Sequence, residues 1–480
     1  MRPQEDLLFF GTNGRKRILA ENNNKMGAMP IRQLIVHMSW PMMLSMLIQA
    51  LYNMVDSYFV ARIDADAFVA LGLAYPAQTM MIAICVGTGV GVNAMLSRRL
   101  GENRAGEANA VAVNGYFVYL LTWVAFLIFG LVFGRSFVGF FNSDPNVVRY
   151  GGQYLTIVTT LSIGVCMQFA GERVLQGIGD PIGPMVIQGI GAVINLVLDP
   201  VLIFGLGPFP AMGVAGAAIA TVFGQIVGMV VGFVLVGRNR SLPISLRGFR
   251  PSAGTIRDIY RIGGPAIVMQ SLNTVMTMGM NKILSLPRIV ERFGNAPVFV
   301  LTSYFKLQSF VFMPVFGLNN GMTPVLSYNY GARQKKRITG GIHFALALAL
   351  AIMGVGMLLF LLFPGALMGI FGAEQEPMAM AMGIPALRIL AASFLFAGVS
   401  IILGAAFQAL GAPMFSLIIS LLRQLVIVLP VCLLLAFTAP ELVWWCVPLA
   451  EGVSCLVALA FYRKIYREKI SVLECGGTEN

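Results

Sequence analysis

A polytopic, all-α membrane fold follows from three features of the 480-residue chain: 57% of its residues are hydrophobic, only 11% are charged, and apolar stretches of membrane length recur from end to end. So much apolar surface cannot be hidden inside a water-soluble core. Crossing the hydrocarbon takes about 20 mostly apolar residues. Windows of that size fall at roughly 34–60, 68–97, 110–134, 150–172, 183–205 and 212–237, then at 257–285, 298–328, 340–364, 379–405, 413–437 and 441–463. The sequence thus predicts twelve transmembrane helices.

The basic residues test that count. Alternate connections carry Arg15, Lys16, Arg17, Lys25 and Arg32; Arg98, Arg99 and Arg104; Arg238, Arg240, Arg247, Arg250, Arg257 and Arg261; Arg333, Lys335, Lys336 and Arg337; and Arg463, Lys464, Arg467 and Lys469. The intervening loops hold mainly Arg62, Arg135, Arg149, Arg288 and Arg292. The positive-inside rule then puts both termini in the cytoplasm of a cell, inner or plasma, membrane. The net charge of +12 is read as topology rather than as a nucleic-acid surface, because the cations lie between apolar segments. Six cysteines without a CxxC and two histidines, His37 and His343, point to neither a disulfide framework nor a His-based metal centre. The first thirty residues lack an apolar h-region, so the first span itself is expected to direct insertion.

The chain repeats itself. IRQLIVHMSWP (31–41) recurs as IRDIYRIGGP (256–265), GVNAMLSRRLG (91–101) as GMTPVLSYNYG (321–331), and VLQGIGDP (174–181) as AFQALGAP (406–413). Six spans followed by six more give two pseudo-symmetric six-helix lobes, as parallel repeats with a path between them. The expected organisation is a tail at 1–33, an N-lobe at 34–237, a basic linker at 238–256, a C-lobe at 257–464 and a tail at 465–480.

Polar residues within the spans are the candidates for chemistry, since an acid in hydrocarbon is costly and marks a path or a site. In the first span Gln49, Tyr52 and Asp56 are spaced i, i+3, i+7 and share one stripe, with Asn53 beside them. Asn195 and Asp199 share a face of the fifth span, and Thr221 enters from the same side in the sixth. Two carboxylates, an amide, a hydroxyl and a phenol make a hard-oxygen site for a small cation such as Na⁺, or a proton-sharing pair. Pro41 and Pro200 free backbone carbonyls and let the first and fifth helices bend. The plainer alternative is that Asp56 pairs with Arg62 or snorkels, and that Asn195 and Thr221 only pack. In the second half Met280 falls where Asp56 would, and Asn273 where Gln49 stands. Lys306, Arg388, Arg423 and Glu451 remain within spans; Glu451 reads either as half of an ion bridge with Lys306 or Arg423 or, with Lys306, as part of a substrate cavity that includes Met46, Asn273, Met276, Met278 and Met280. Glu172 and Arg173, near the inner end of the fourth span, read as an interfacial pair.

QALYNMVDSYFVARI in the first span, INLVLDPVLIF followed by GVAGAAIAT in the fifth and sixth, and SYNYGARQKKR after the eighth resemble the multidrug and toxic compound extrusion (MATE) transporters, nearest their MepA-like branch. The resemblance implies two six-helix lobes, alternating access, and export of cationic amphipathic drugs driven by entry of H⁺ or Na⁺, with no other cofactor, by a monomer. It implies that Asp56, Asn195, Asp199 and Thr221 form an N-lobe coupling site, with Gln49 and Tyr52 near it and Pro41 as the bend. The carboxylates that one branch uses in its seventh and tenth helices are missing here. A lipid-linked oligosaccharide flippase is the rival within transport. An intramembrane enzyme would need a nucleophile–base pair or metal triad that the spans do not offer.

Overall fold

The computed structural model describes residues 26–60, 65–141, 144–206, 208, 210–239, 242, 244–245, 249–371 and 377–473, with the side chains of 52–69 and 141 left out of the description. All elements among them are helical. In order they are α1 (Ile31–Val60), α2 (Ala65–Gly101), α3 (Ala105–Phe141), α4 (Pro145–Thr160), α5 (Ile163–Ile178), α6 (Ile182–Phe204) and α7 (Gly213–Arg238). The second half follows as α8 (Ala253–Leu284), short α9 (Pro287–Phe293), α10 (Ala296–Gly331), α11 (Lys335–Leu362), short α12 (Pro364–Gly369), α13 (Pro377–Ala391), α14 (Ser393–Ala409), α15 (Pro413–Leu421), α16 (Val428–Thr438) and α17 (Cys446–Ile465).

Nine helical segments among the described residues are long and apolar enough to cross a membrane, or eleven when each of two bent pairs is one span. The bent pairs are α4–α5 (44°) and α13–α14 (43°). At each bend a serine hydroxyl donates to a main-chain carbonyl three residues back, Ser162 to Thr159 and Ser393 to Leu390, both at 2.6 Å, which competes with the helical ladder. The remaining window of the sequence coincides with α8, which is not among these eleven. Its 32 residues are amply long at about 1.5 Å rise each, but Gln270, Ser271, Asn273, Thr274 and Thr277 interrupt its apolar middle.

The repeat seen in the sequence is a repeat in space. Ser97 donates to Gly177 O at 2.9 Å, and its counterpart Ser327 donates to Ala409 O at 3.2 Å. The turn after α5 needs a left-handed residue, Gly179 (φ 91°), and the turn after α14 uses Gly411 (φ 67°). Asn103 (φ 60°) and Arg333 (φ 55°) are matched likewise.

The halves meet along two equivalent crossings, α2 on α8 and α1 on α10. Glycines bring main chain onto main chain there. A Cβ on Gly91 would lie 2.2 Å from Ile259 O, one on Gly87 2.5 Å from Ile267 N, one on Gly317 2.4 Å from Met43 Cα, and one on Gly321 2.5 Å from Ser39 Cα. Gly101 and Gly331 make the reciprocal contact between α2 and α10, on Tyr328 O and Arg98 O. Gly101 and Gly331 lie at the end of the bundle that carries Arg98, Arg261, Arg333 and Lys469, called the basic end below, and the other four run from there to mid-span, Gly87 and Gly317 being about 21 Å deeper.

Within the second half, α15 passes into α16 through a π-helical turn, Leu422–Val426, that holds Arg423. Arg423 Nε and Nη2 both donate to Glu451 Oε1 on α17, at 3.0 and 2.6 Å, with both side chains largely buried. Lys306 is exposed and stands over the Phe371 ring at 5.8 Å. Of the two partners expected for Glu451, Arg423 is therefore the one the fold supplies.

Two measurements check this packing. Gly91→Ala and Gly321→Ala each force backbone apart and should cost about 1–3 kcal/mol, read as a lower melting midpoint in detergent, whereas Gly264→Ala, with nothing within 4 Å of its added methyl, should be neutral or slightly stabilising. Glu451→Leu, which strands the Arg423 guanidinium, should cost about 3–5 kcal/mol, and Arg423→Met with Glu451→Leu should recover most of that loss.

Candidate functional site

Helices α6 and α7 approach closely because both are notched. A Cβ on Gly216 would meet Leu202 O at 2.5 Å, and one on Gly224 would meet Gly191 O at 2.7 Å. This contact carries Thr221 of α7 onto the face of α6 that holds Asn195 and Asp199, four residues and one turn apart. All three are buried, at 2%, 1% and 5% exposure for Asn195, Asp199 and Thr221.

The Asn195 amide links the other two. In one orientation its Nδ2 lies 3.3 Å from both Asp199 Oδ1 and Thr221 Oγ1. Turned over, the nitrogen donates to Asp199 Oδ2 at 2.8 Å, while the oxygen accepts from the Thr221 backbone N–H at 3.1 Å and its hydroxyl at 3.3 Å. The second arrangement gives every donor an acceptor and is the one the chemistry favours. Pro200, next to Asp199, sits inside an unbroken α6, and its missing N–H leaves the Leu196 carbonyl without its helical donor. Oxygen donors of three kinds are thus buried together, which suits a hard cation in ligand type and a proton on the carboxylate equally.

The remaining residues singled out in the sequence divide as follows. Tyr52, Asn53 and Asp56 lie on the α1 backbone, but their side chains are outside the described residues. Gln49 and Met46 are half-buried on the same helix, which packs on α6. Pro41 lies inside an unbroken α1. Asn273 lines a cleft of about 350 Å³ between α2 and α8, with Tyr75, Pro76, Thr274, Thr277 and Met278. Met280 does not belong there: it is 1% exposed and fills the larger hydrophobic core, because two residues beyond Met278 the helix has turned to its opposite face. Met276 is half-buried against that core. Lys306 and Glu451 also miss the cleft, one exposed beside Phe371 and the other held by Arg423.

Glu172 and Arg173 differ most from expectation. They are 1% and 3% exposed and do not pair with each other. Glu172 accepts from Gln168 at 3.0 Å and from Gln188 of α6 at 2.9 Å, and Ser45 of α1 hydrogen-bonds to Gln188 in turn. A polar chain thus runs from α5 through α6 to α1. Gln188 carried no signal in the sequence; Thr274 and Thr277 did, through their spacing from Gln270 and Asn273.

Comparison with known proteins fits these features. A multidrug export protein MepA of Staphylococcus haemolyticus is 24% identical, over 92% of this chain and 96% of its own. An FAD transporter of Shewanella oneidensis is 23% identical, over 84% of this chain and 88% of its own. A solved structure described as an outward-facing conformation of a multidrug resistance MATE family transporter superposes with a TM-score of 0.86 at 25% identity, covering 94% of this chain and 98% of that one. These relatives are transporters rather than enzymes. The MatE family model matches residues 41–201 and 265–434, one stretch in each half and together well over half of the chain, and the chain belongs to that family.

Proposed function

We propose that the chain is a cation-coupled antiporter that exports organic cations by alternating access, and that Asp199, Asn195 and Thr221, joined by Asp56, form the coupling site. The buried Asn195–Asp199–Thr221 cluster is the observation that carries this reading. An ionised Asp199 inside a span is costly, so neutralisation by H⁺ or Na⁺ is strongly favoured there. A cationic cargo draws on the same negative charge, and binding of one therefore weakens binding of the other, reciprocally.

The conformation supports an outward-open assignment. The seam is sealed toward the basic end, which the positive-inside rule assigns to the cytoplasm with both termini, and the α2–α8 cleft lies toward the opposite end. Bending at Pro41 and Pro200 lets α1 and α6 repack around the occupied site. The exposed Met278 supplies an adaptable apolar contact to cargo in that cleft. The working unit is a monomer in the plasma membrane.

The test is ethidium efflux from proteoliposomes under Na⁺ and pH gradients imposed separately. One gradient should drive efflux. The coupling ion should weaken ethidium binding about 5- to 150-fold, and Asp199→Asn or Asp56→Asn should collapse that ratio toward one and abolish driven efflux at unchanged membrane abundance. Driven efflux by either variant at the wild-type rate would overturn the coupling assignment.

A further inference from the structure

Arg173 is a cation buried inside a span with no carboxylate within salt-bridge distance among the described residues. Its Nη1 donates to Gln176 Oε1 at 2.9 Å and, across the seam, to Asn320 Oδ1 of α10 at 3.4 Å. Both acceptors are neutral amides. Its Nε is buried and has no hydrogen-bond partner, and the Thr88 hydroxyl on α2 is buried and unpartnered as well. The side chain lies across Gly89 of α2, where a Cβ would sit 2.6 Å from Arg173 Cγ and 2.8 Å from the Tyr119 hydroxyl. Phe169 places its ring 5.9 Å from the guanidinium carbon. A guanidinium taken out of water ordinarily bonds to a carboxylate; Arg173 lies near enough to Glu172 to feel its charge, yet its hydrogen bonds go to amides and it keeps free donors. The equivalent position in the second half is Ala405, so the feature is not required by the repeat.

We propose that Arg173 is the recognition point for an anionic group, a phosphate or carboxylate, on a cargo that loads from the basic end. The guanidinium fork matches such a group in shape and charge. Its contact with Asn320 joins the two halves, so parting them at the basic end removes the amide and uncovers the fork beside Phe169, which offers a face to an aromatic cargo. Closing the seam returns the Asn320 carbonyl to Nη1 and displaces the anion. The site rests on the export reading above and widens its cargo from organic cations to aromatic compounds that carry an anionic group.

Riboflavin and FMN share one ring system and differ by a phosphate, so their affinities for the full-length chain in detergent, read by flavin fluorescence quenching, isolate the anion. The wild type should bind FMN about tenfold or more tightly than riboflavin, the effect of one charge-assisted contact. Arg173→Gln should bring that ratio to about one, and Arg173→Lys should keep part of it. Asn320→Asp keeps the guanidinium but supplies the missing carboxylate, and should also bring the ratio to about one while raising the melting midpoint. Equal affinities in the wild type, or a ratio that Asn320→Asp and Arg173→Gln leave unchanged, would overturn the proposal. Loss of the FMN preference when phosphatidylglycerol is added to the micelle would assign the site to a lipid headgroup and overturn it too. Ethidium efflux is scored on the same variants reconstituted into proteoliposomes, so failure of the export reading and failure of this site are separate results.

Discussion

Where α2 crosses α8 and α1 crosses α10, glycines let one main chain rest directly on another, and the closure of the basic end depends on that approach. Lipid is as apolar as the helices, so the hydrophobic effect gives little reason for the halves to prefer each other; close packing of small residues does. A contact of this kind falls off steeply with distance. A small separation of the halves would therefore forfeit most of the contact, and the seam favours the shut arrangement over a partly opened one. It also fixes the depth at which Arg173 meets Asn320 and the direction in which the α2–α8 cleft opens.

The scaffold repeats more faithfully than the chemistry laid on it. Left-handed turn residues, serine-capped bends, glycine crossings and the Ser97 and Ser327 bonds recur at equivalent positions. Charged groups do not. The first half places Asn195, Asp199 and Thr221 between its last two helices, whereas the second places the closed Arg423–Glu451 pair between its last two. Glu172 and Arg173 correspond to Gly404 and Ala405 in the repeat. One half buries a carboxylate among neutral oxygen donors, and the other buries its carboxylate against a guanidinium.

Much of this was legible in the chain. Apolar length and alternating charge gave the spans because the bilayer enforces both, and the i, i+4 spacing of Asn195 and Asp199 put them on one face before any helix was seen. What the sequence could not give was rotation and depth. Met280 and Met278 look alike in a list of methionines, yet one is core and the other lines the cleft. Glu172 and Arg173 read as an interfacial pair because they lie near a helix end, and only the neighbouring helices show that both are covered. The bends at Leu161–Ser162 and Ala392 have no proline to announce them; a serine hydroxyl makes them. Nothing in the fourth and tenth windows therefore marks a bend.

The polar middle of α8 bears on how the protein enters the membrane. A segment interrupted by Gln270, Asn273 and several hydroxyl side chains partitions into lipid poorly by itself, since each such group lowers the gain from burial. The first half is synthesised earlier, and its α2 already presents Gly87 and Gly91 as a groove of matching shape. Insertion of α8 against that groove would complete the first crossing of the seam during synthesis. Damage to those glycines would then appear first as poor yield of inserted protein, before any measurement of transport is made.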